Sequence, residues 1–343
     1  MSQYILRRLL QAIPLVLLVT LALFVLLQSI GDPLATLGGR LPPRPEERER
    51  LRRQLGLDQP ILNQYLFWLV GNDWTMLDRD GDGAAETPGT RYGVLRGDFG
   101  ESIVTKQPAI KIIMERIPNT LILMVTAEII TITFALMIGI VSALKQYSLT
   151  DNVITGFSFV AFSMPIFLVA ILFMYIFAVK FREWGFPYAP TSGMFDPAVG
   201  RTFSQVAWHL ILPVLTISII SIAGYSRYIR SNMLEVVNSD YIRTARSKGL
   251  TERAILYRHA FKNAALPLAT LIGLDIPFLL GGAVVTERIF AWPGMGQLFV
   301  NHLERLDYSV LMGLLLMITV AVVVFQLLTD LVYTWLDPRI RYS

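Results

Sequence analysis

Thr120-Leu-Ile-Leu-Met-Val-Thr-Ala-Glu128-Ile-Ile-Thr-Ile-Thr-Phe-Ala-Leu-Met-Ile-Gly-Ile-Val-Ser-Ala-Leu144 is an apolar run with a single charged side chain. As a helix it is long enough to cross the ~30 Å hydrocarbon core of a bilayer. A backbone in lipid must satisfy its own hydrogen bonds, and barrel strands would show shorter, alternating stretches, so a helix is the natural reading. Five other segments read the same way: Leu9 to Ile30, Val153 to Val179, Val206 to Tyr225, Ala264 to Val285 and Val310 to Trp335.

The composition of the 343 residues agrees. Hydrophobic residues make up 54% and charged residues 16%, against roughly 45 to 50% and 25% in soluble domains. The first run is longer than the ~7 to 15 residues of a secretion signal and no Ala-x-Ala site follows it, so it is expected to stay attached as a signal anchor. The expected fold is an all-α membrane protein with six transmembrane helices. Residues 1–30 form the N-terminus and first span, 31–118 a small extracytoplasmic subdomain, and 119–343 a five-helix core with a cytoplasmic loop at about 227–263.

Arg7 and Arg8 precede the first span and place the N-terminus in the cytoplasm. With that orientation the inner segments carry thirteen lysines and arginines and the short outer loops carry five: Lys180, Arg182, Arg201, Arg288 and Arg305. Both termini are expected inside, and membrane lipid is an expected partner. No nucleic-acid partner is expected.

The outer segment contains a helix signal from Arg44 to Leu57, with Pro45 at its first turn, Glu46, Glu47 and Glu49 at its positive end, and Gly56 at its stop. Further on, Asp78-Arg-Asp80-Gly-Asp82-Gly83 matches the opening of a calcium loop, with Glu86 at loop position nine. Gly89 then stands at the twelfth position, where that pattern wants a bidentate Glu. Two readings stand: a structural calcium site, or a hydrophilic hairpin tip rich in turn-forming Asp and Gly.

Several chemistries have no basis in the chain. Cysteine is absent, and His209, His259 and His302 are dispersed without zinc-ligand spacing. There is no phosphate-binding Gly-x-x-x-x-Gly-Lys-Ser/Thr loop, no Gly-x-Ser-x-Gly elbow and no His-Glu-x-x-His. The chain is expected to be no enzyme and to hold no intrinsic cofactor.

The polar segment Arg227 to Lys262 contains Ser239-Asp-Tyr-Ile-Arg-Thr-Ala-Arg-Ser-Lys-Gly249-Leu. That stretch resembles the inner loop of ABC importer permeases of the dipeptide, oligopeptide and nickel branch. Arg258-His-Ala-Phe-Lys-Asn-Ala-Ala-Leu-Pro267, the segment from Gly281 through Glu287 and Pro293 to Gly296, and the terminal Leu336-Asp-Pro-Arg-Ile-Arg341 continue the likeness. So do Leu55-Gly-Leu-Asp-Gln-Pro60 and Gly97-Asp-Phe-Gly-Glu-Ser102 at the front.

The resemblance implies a coupling helix that docks in a cleft of a separate ATPase subunit, with Asp240, Arg243, Ala245, Arg246, Lys248, Gly249 and Leu250 as the docking residues. It also implies the other partners: a second, similar permease chain, one or two P-loop ATPase subunits carrying ATP and magnesium, and an extracytoplasmic binding protein. Arg243-Thr-Ala245 stands where the broad permease motif has an acid followed by alanines, so the acid's role does not carry over to Arg243. Read without the resemblance, the same basic loop serves as a topology and lipid anchor.

Glu128 and Asp275 fall inside spans, where an ionised carboxylate costs ~2.5 to 3.5 kcal/mol on insertion scales. Either they line the path and meet a peptide's amino terminus, or they bond neighbouring helices. Glu287, at the outer end of a span, is expected to reach water or an outer gate. Pro165 and Pro277 interrupt spans, as gate hinges or as static kinks. The expected function is a channel subunit moving small peptides into a bacterial or archaeal cell across its plasma membrane. The alternatives are a nickel complex or oligosaccharide as substrate, or an ion-coupled secondary transporter.

Overall fold

The computed structural model describes residues 2–32, 34, 44–78, 85–255, 268, 272–273, 275 and 283–336. The regular secondary structure of the described residues is helical except for one short antiparallel strand pair and an isolated bridge between Glu101 and Pro108. In order, α1 is Ser2–Ile30, α2 Pro45–Leu55, α3 Ile61–Leu69, α4 Ala109–Leu144, α5 Leu149–Ser163 and α6 Ile166–Met174. A π-helical turn, Tyr175–Lys180, leads into α7, Phe181–Glu183. There follow α8 Phe203–Val237, α9 Asp240–Ser247, α10 Glu252–Ala254, α11 Val284–Ile289, α12 Met295–Leu303 and α13 Tyr308–Leu336. The strands β1 (Met76–Leu77) and β2 (Thr87–Pro88) pair antiparallel.

Four described helices, α1, α4, α8 and α13, are long and apolar enough to cross a membrane. The third expected span, Val153 to Val179, is not one straight helix. The segments Leu149–Ser163 and Ile166–Glu183 meet the span criteria only as a pair, and they bend by 106° at Met164-Pro165. Proline removes a backbone donor there, and Met164 is extended (φ −79°, ψ 133°), which ends α5. The fifth expected span, Ala264 to Val285, and with it Pro277, falls mostly outside the described residues.

The chain divides into two compact units, residues 1–118 with 298–323, and 119–297 with 324–343. In the first, α3 lies on α1: Phe24 and Leu27 meet Tyr65 and Trp68 in a buried cluster with Val94, Leu311 and Met312. The Tyr65 hydroxyl is 2.9 Å from Thr20 Oγ1 and donates to the Leu17 carbonyl at 3.1 Å. The helix expected from Arg44 to Leu57 is α2, and Gly56 stops it with φ +71° while the Gly56 and Leu57 amides bond back to Arg53 and Arg52. Arg96 forks onto Asp73 at 2.8 and 2.5 Å, which holds that exposed carboxyl below its usual range.

A buried polar knot closes the same unit. Ser102 Oγ donates to Asp307 Oδ2 at 2.5 Å, and His302 Nδ1 lies 3.1 Å from the same oxygen. Burial pushes the Asp307 carboxyl up, but the bonds from His302 and Ser102 outweigh it and hold the group below its ordinary value.

In the second unit α4, α5 and α8 form the frame. Ser218 Oγ donates to the Ala127 carbonyl at 3.1 Å, and a Cβ on Gly139 would run into the Ser226 carbonyl at 2.7 Å, so a small residue lets α4 and α8 approach closely. Large apolar side chains on the helices are exposed, among them Ile129, Phe134 and Met137 on α4 and Phe157 and Val160 on α5, as lipid-facing surface requires.

Candidate transport site and coupling loop

α8 runs past the apolar part of its sequence to Val237, so the polar loop expected from Arg227 begins as helix. The chain turns at Asn238 and Ser239, and Ser239 Oγ donates to the Val236 carbonyl at 2.6 Å. The turn launches α9, eight residues long, whose Ile242 and Ala245 lie three apart on one face. Both are buried in a cluster with Ala135 and Ala143 of α4, Ile229 and Met233 of α8, Ile255 and Leu268.

The opposite face is polar and open. Asp240 and Arg243 are exposed and stand 3.9 Å apart, and Arg246 Nε donates to Glu252 Oε1 at 3.0 Å. Lys248 and Leu250 are exposed as well. Gly249 ends the helix at φ +76°, with its amide bonded to Arg246 O and the Leu250 amide to Ala245 O, the paired cap that glycine permits. No described atom lies within 4 Å of where a Gly249 Cβ would stand. Of the expected docking residues, then, Ala245 is misplaced: its small side chain anchors α9 to the membrane helices, and the other six lie on the accessible surface.

Within the bundle the structure brings Glu128 of α4 near Asp275, with Tyr225 of α8 between them in the chemical sense: its hydroxyl donates to Asp275 Oδ2. Glu128 and Asp275 are close enough to interact electrostatically with each other and with this phenol. Glu128 Oε1 is buried and has no hydrogen-bond partner among the described residues. Tyr225 is a member of this group that the sequence reading passed over.

Glu287 does not face water, as its place at a span end suggested. It is fully buried, accepting from Thr120 Oγ1 at 3.0 Å and from the Gln297 amide at 2.9 Å. Thr120 Oγ1 in turn accepts from the Met295 amide at 2.7 Å. Asn119 and Trp292 close the same knot, Trp292 Nε1 donating to Asn119 O and Asn119 Nδ2 to Pro293 O, each at 2.9 Å. A Cβ on Gly294 would overlap the Glu287 carboxyl. Glu287 therefore fixes the fold of the 284–297 segment against the start of α4's apolar run.

Of the calcium-loop candidates, Asp78 directly follows β1 and Glu86 directly precedes β2. Asp80 and Asp82 lie outside the described residues. Among the described residues no group of three or more potential metal ligands occurs.

Four helices long and apolar enough to cross a membrane, and the short helix α9 with an apolar face packed on α4 and α8 and a polar face left open, describe a membrane protein with an accessible docking surface. The comparisons agree along the whole chain. Residues 135–342 match the model of the binding-protein-dependent transport system inner membrane component, and residues 1–124 match the N-terminal domain of the same systems. The oligopeptide transport system permease protein AppB of Bacillus subtilis (strain 168) is 38% identical over 346 residues, covering all of both chains. The dipeptide transport system permease protein DppB of Escherichia coli (strain K12) is 34% identical over 366 residues, again covering all of both. A membrane chain of the MetNI methionine ABC transporter in an inward-facing conformation shares the fold, with a TM-score of 0.52 at 13% identity over 66% of this chain and 97% of that one.

The chain belongs to the family of binding-protein-dependent transport system inner membrane components. It is a multi-pass inner-membrane permease subunit of an ABC transporter and not an enzyme, and the ATPase is a separate subunit. Membership of this family implies an ATPase and a binding protein as partners.

Proposed function

We propose that this chain is one of two membrane subunits of an importer for short peptides. It pairs with a second, homologous permease, receives peptide from an extracytoplasmic binding protein, and is driven by one or two P-loop ATPase subunits that dock on α9. It crosses the membrane six times with both termini in the cytoplasm. The observation that carries the reading is α9 itself. Its apolar face is held by α4 and α8, while Asp240, Arg243, Arg246, Lys248, Gly249 and Leu250 are left accessible. Such a surface, charged and with no side chain at its glycine, suits a partner's cleft.

Glu128 and Asp275 supply the peptide specificity in this reading. An acid oxygen buried without a partner is costly, and a protonated amine entering the bundle offsets that cost. Relatives that are named for dipeptide and oligopeptide transport support the substrate class.

The test is a mild-detergent pull-down of the tagged chain from its own host, in parallel with Gly249→Arg. The wild type should bring down a second permease and P-loop ATPases, and the variant should lose the ATPases while keeping the permease. ATPases retained in full by Gly249→Arg would remove α9 from the docking role, and a chain recovered alone would overturn the importer.

A further inference from the structure

Asp151 is one of the most completely bonded charges in the second unit, and nothing in the transport reading uses it. It is 2% exposed at the first turn of α5, with Ser148 as the helix cap. Arg230 of α8 grips it with two parallel bonds, Nε to Oδ1 and Nη2 to Oδ2, each 2.7 Å. Ser142 Oγ of α4 donates to Oδ1, the Tyr147 amide to Oδ2 at 2.9 Å, and Thr155 Oγ1 stands 3.5 Å from Oδ1. One carboxylate thus collects α4, the 145–148 turn, α5 and α8.

Its position along those helices matters more than its strength. Ser142 adjoins Ala143, and Arg230 adjoins Ile229 and lies one turn from Met233, and these three apolar residues hold the inner face of α9. A buried ion pair adds little stability over a well-packed apolar pair, and its best-attested use is to fix register. A bidentate guanidinium–carboxylate fork tolerates neither sliding nor rotation of its two helices without losing both bonds.

We infer that the Asp151–Arg230 fork is a positioning element that locks the start of α5 to the segment of α8 bearing α9, so that α4's end, α5, α8 and α9 move as one body. This rests on the importer reading for its purpose, to carry motion from the ATPase into the bundle, but the locking itself is a separate claim. Neither residue touches substrate in it.

The chain has no cysteine, so Leu149→Cys and Asn238→Cys place two spin labels at defined points. Both sites are exposed, one at the first residue of α5 and the other two residues before α9. The distance between them is measured in the assembled transporter without nucleotide and with ATP trapped. Peptide moved per ATP hydrolysed is measured alongside. With the fork intact the distance should be narrow and unchanged by ATP.

In Asp151→Asn/Arg230→Met, which removes both charges and strands neither, the distribution should broaden and the peptide-to-ATP ratio should fall at least about tenfold while ATP hydrolysis persists. A variant with the wild-type distance distribution and ratio overturns the inference, and so does a wild-type distance that shifts on ATP binding. If the double variant does not assemble, Arg230→Lys, which keeps the charge and loses the fork, is read by the same two criteria. Failure of the peptide reading would show separately, as a wild-type transporter that moves no peptide but still gives a decisive distance measurement.

Discussion

Two carboxylates in the same helical unit are treated in opposite ways. Asp151 accepts bonds from an arginine, a serine and a backbone amide, and is sealed from solvent. Glu128, on a helix shared with Ser142, buries an oxygen with no described partner and has a second acid for a neighbour. The first arrangement is what a protein builds when a charge must stay where it is. The second is stable only if something else arrives, a proton or a cationic group, and in a permease that difference separates framework from pathway.

The contrast is broken most forcefully at Asp151. Asp151→Ala strands the Arg230 guanidinium and should cost about 3 to 5 kcal/mol, seen as a large drop in the thermal midpoint of the detergent-solubilised chain. A midpoint within a degree of wild type would mean that the fork bears no structural load.

Asp307, a buried acid held by Ser102 and His302, should give a smaller and pH-dependent effect. Its folded-state pKa is lowered, so its contribution is present above the unfolded value and disappears as the pH falls through the folded one. Asp307→Asn should therefore be about 1 to 3 kcal/mol less stable at neutral pH, with the gap closing in acid below the usual carboxylate range. A gap that persisted unchanged at low pH would assign the loss to packing and not to charge.

Glu128→Gln should have the smallest effect on stability, under about 1 kcal/mol, because no described bond is lost. Uptake is where it should register, as a KM about tenfold higher for peptides with a free amino terminus, the loss of about 1.4 kcal/mol of binding. Equal KM values for free and N-acetylated peptides in both proteins would take Glu128 off the path.

The apolar runs made α1, α4, α8 and α13 legible from sequence alone, because a membrane leaves a long helix no alternative way to satisfy its backbone. Pro45 and Gly56 likewise bounded α2, since capping is a local matter. The bend at Met164-Pro165 was half legible: proline announces an interruption, but not its 106° angle, nor that Ala170 beyond it packs with Leu212 and Phe290.

Charges were the least legible part. Nothing in the sequence singled out Asp151, Arg230 stood as one of eight basic residues in a loop, and 79 residues separate the partners. Glu287 pointed to water until Thr120, 167 residues away in sequence, was seen beside it. Ala245 fell on the inner face because α9 was expected from a motif, and a motif does not say which way an eight-residue helix is rolled.

The elbow between α5 and α6 has a mechanical meaning. A straight rod delivers a push to its far end, whereas an elbow turns the same push into a swing about its corner. At a bend of 106° a displacement along α5 would cross the axis of α6 instead of following it, and the 15 residues of α5 set the length of that lever arm.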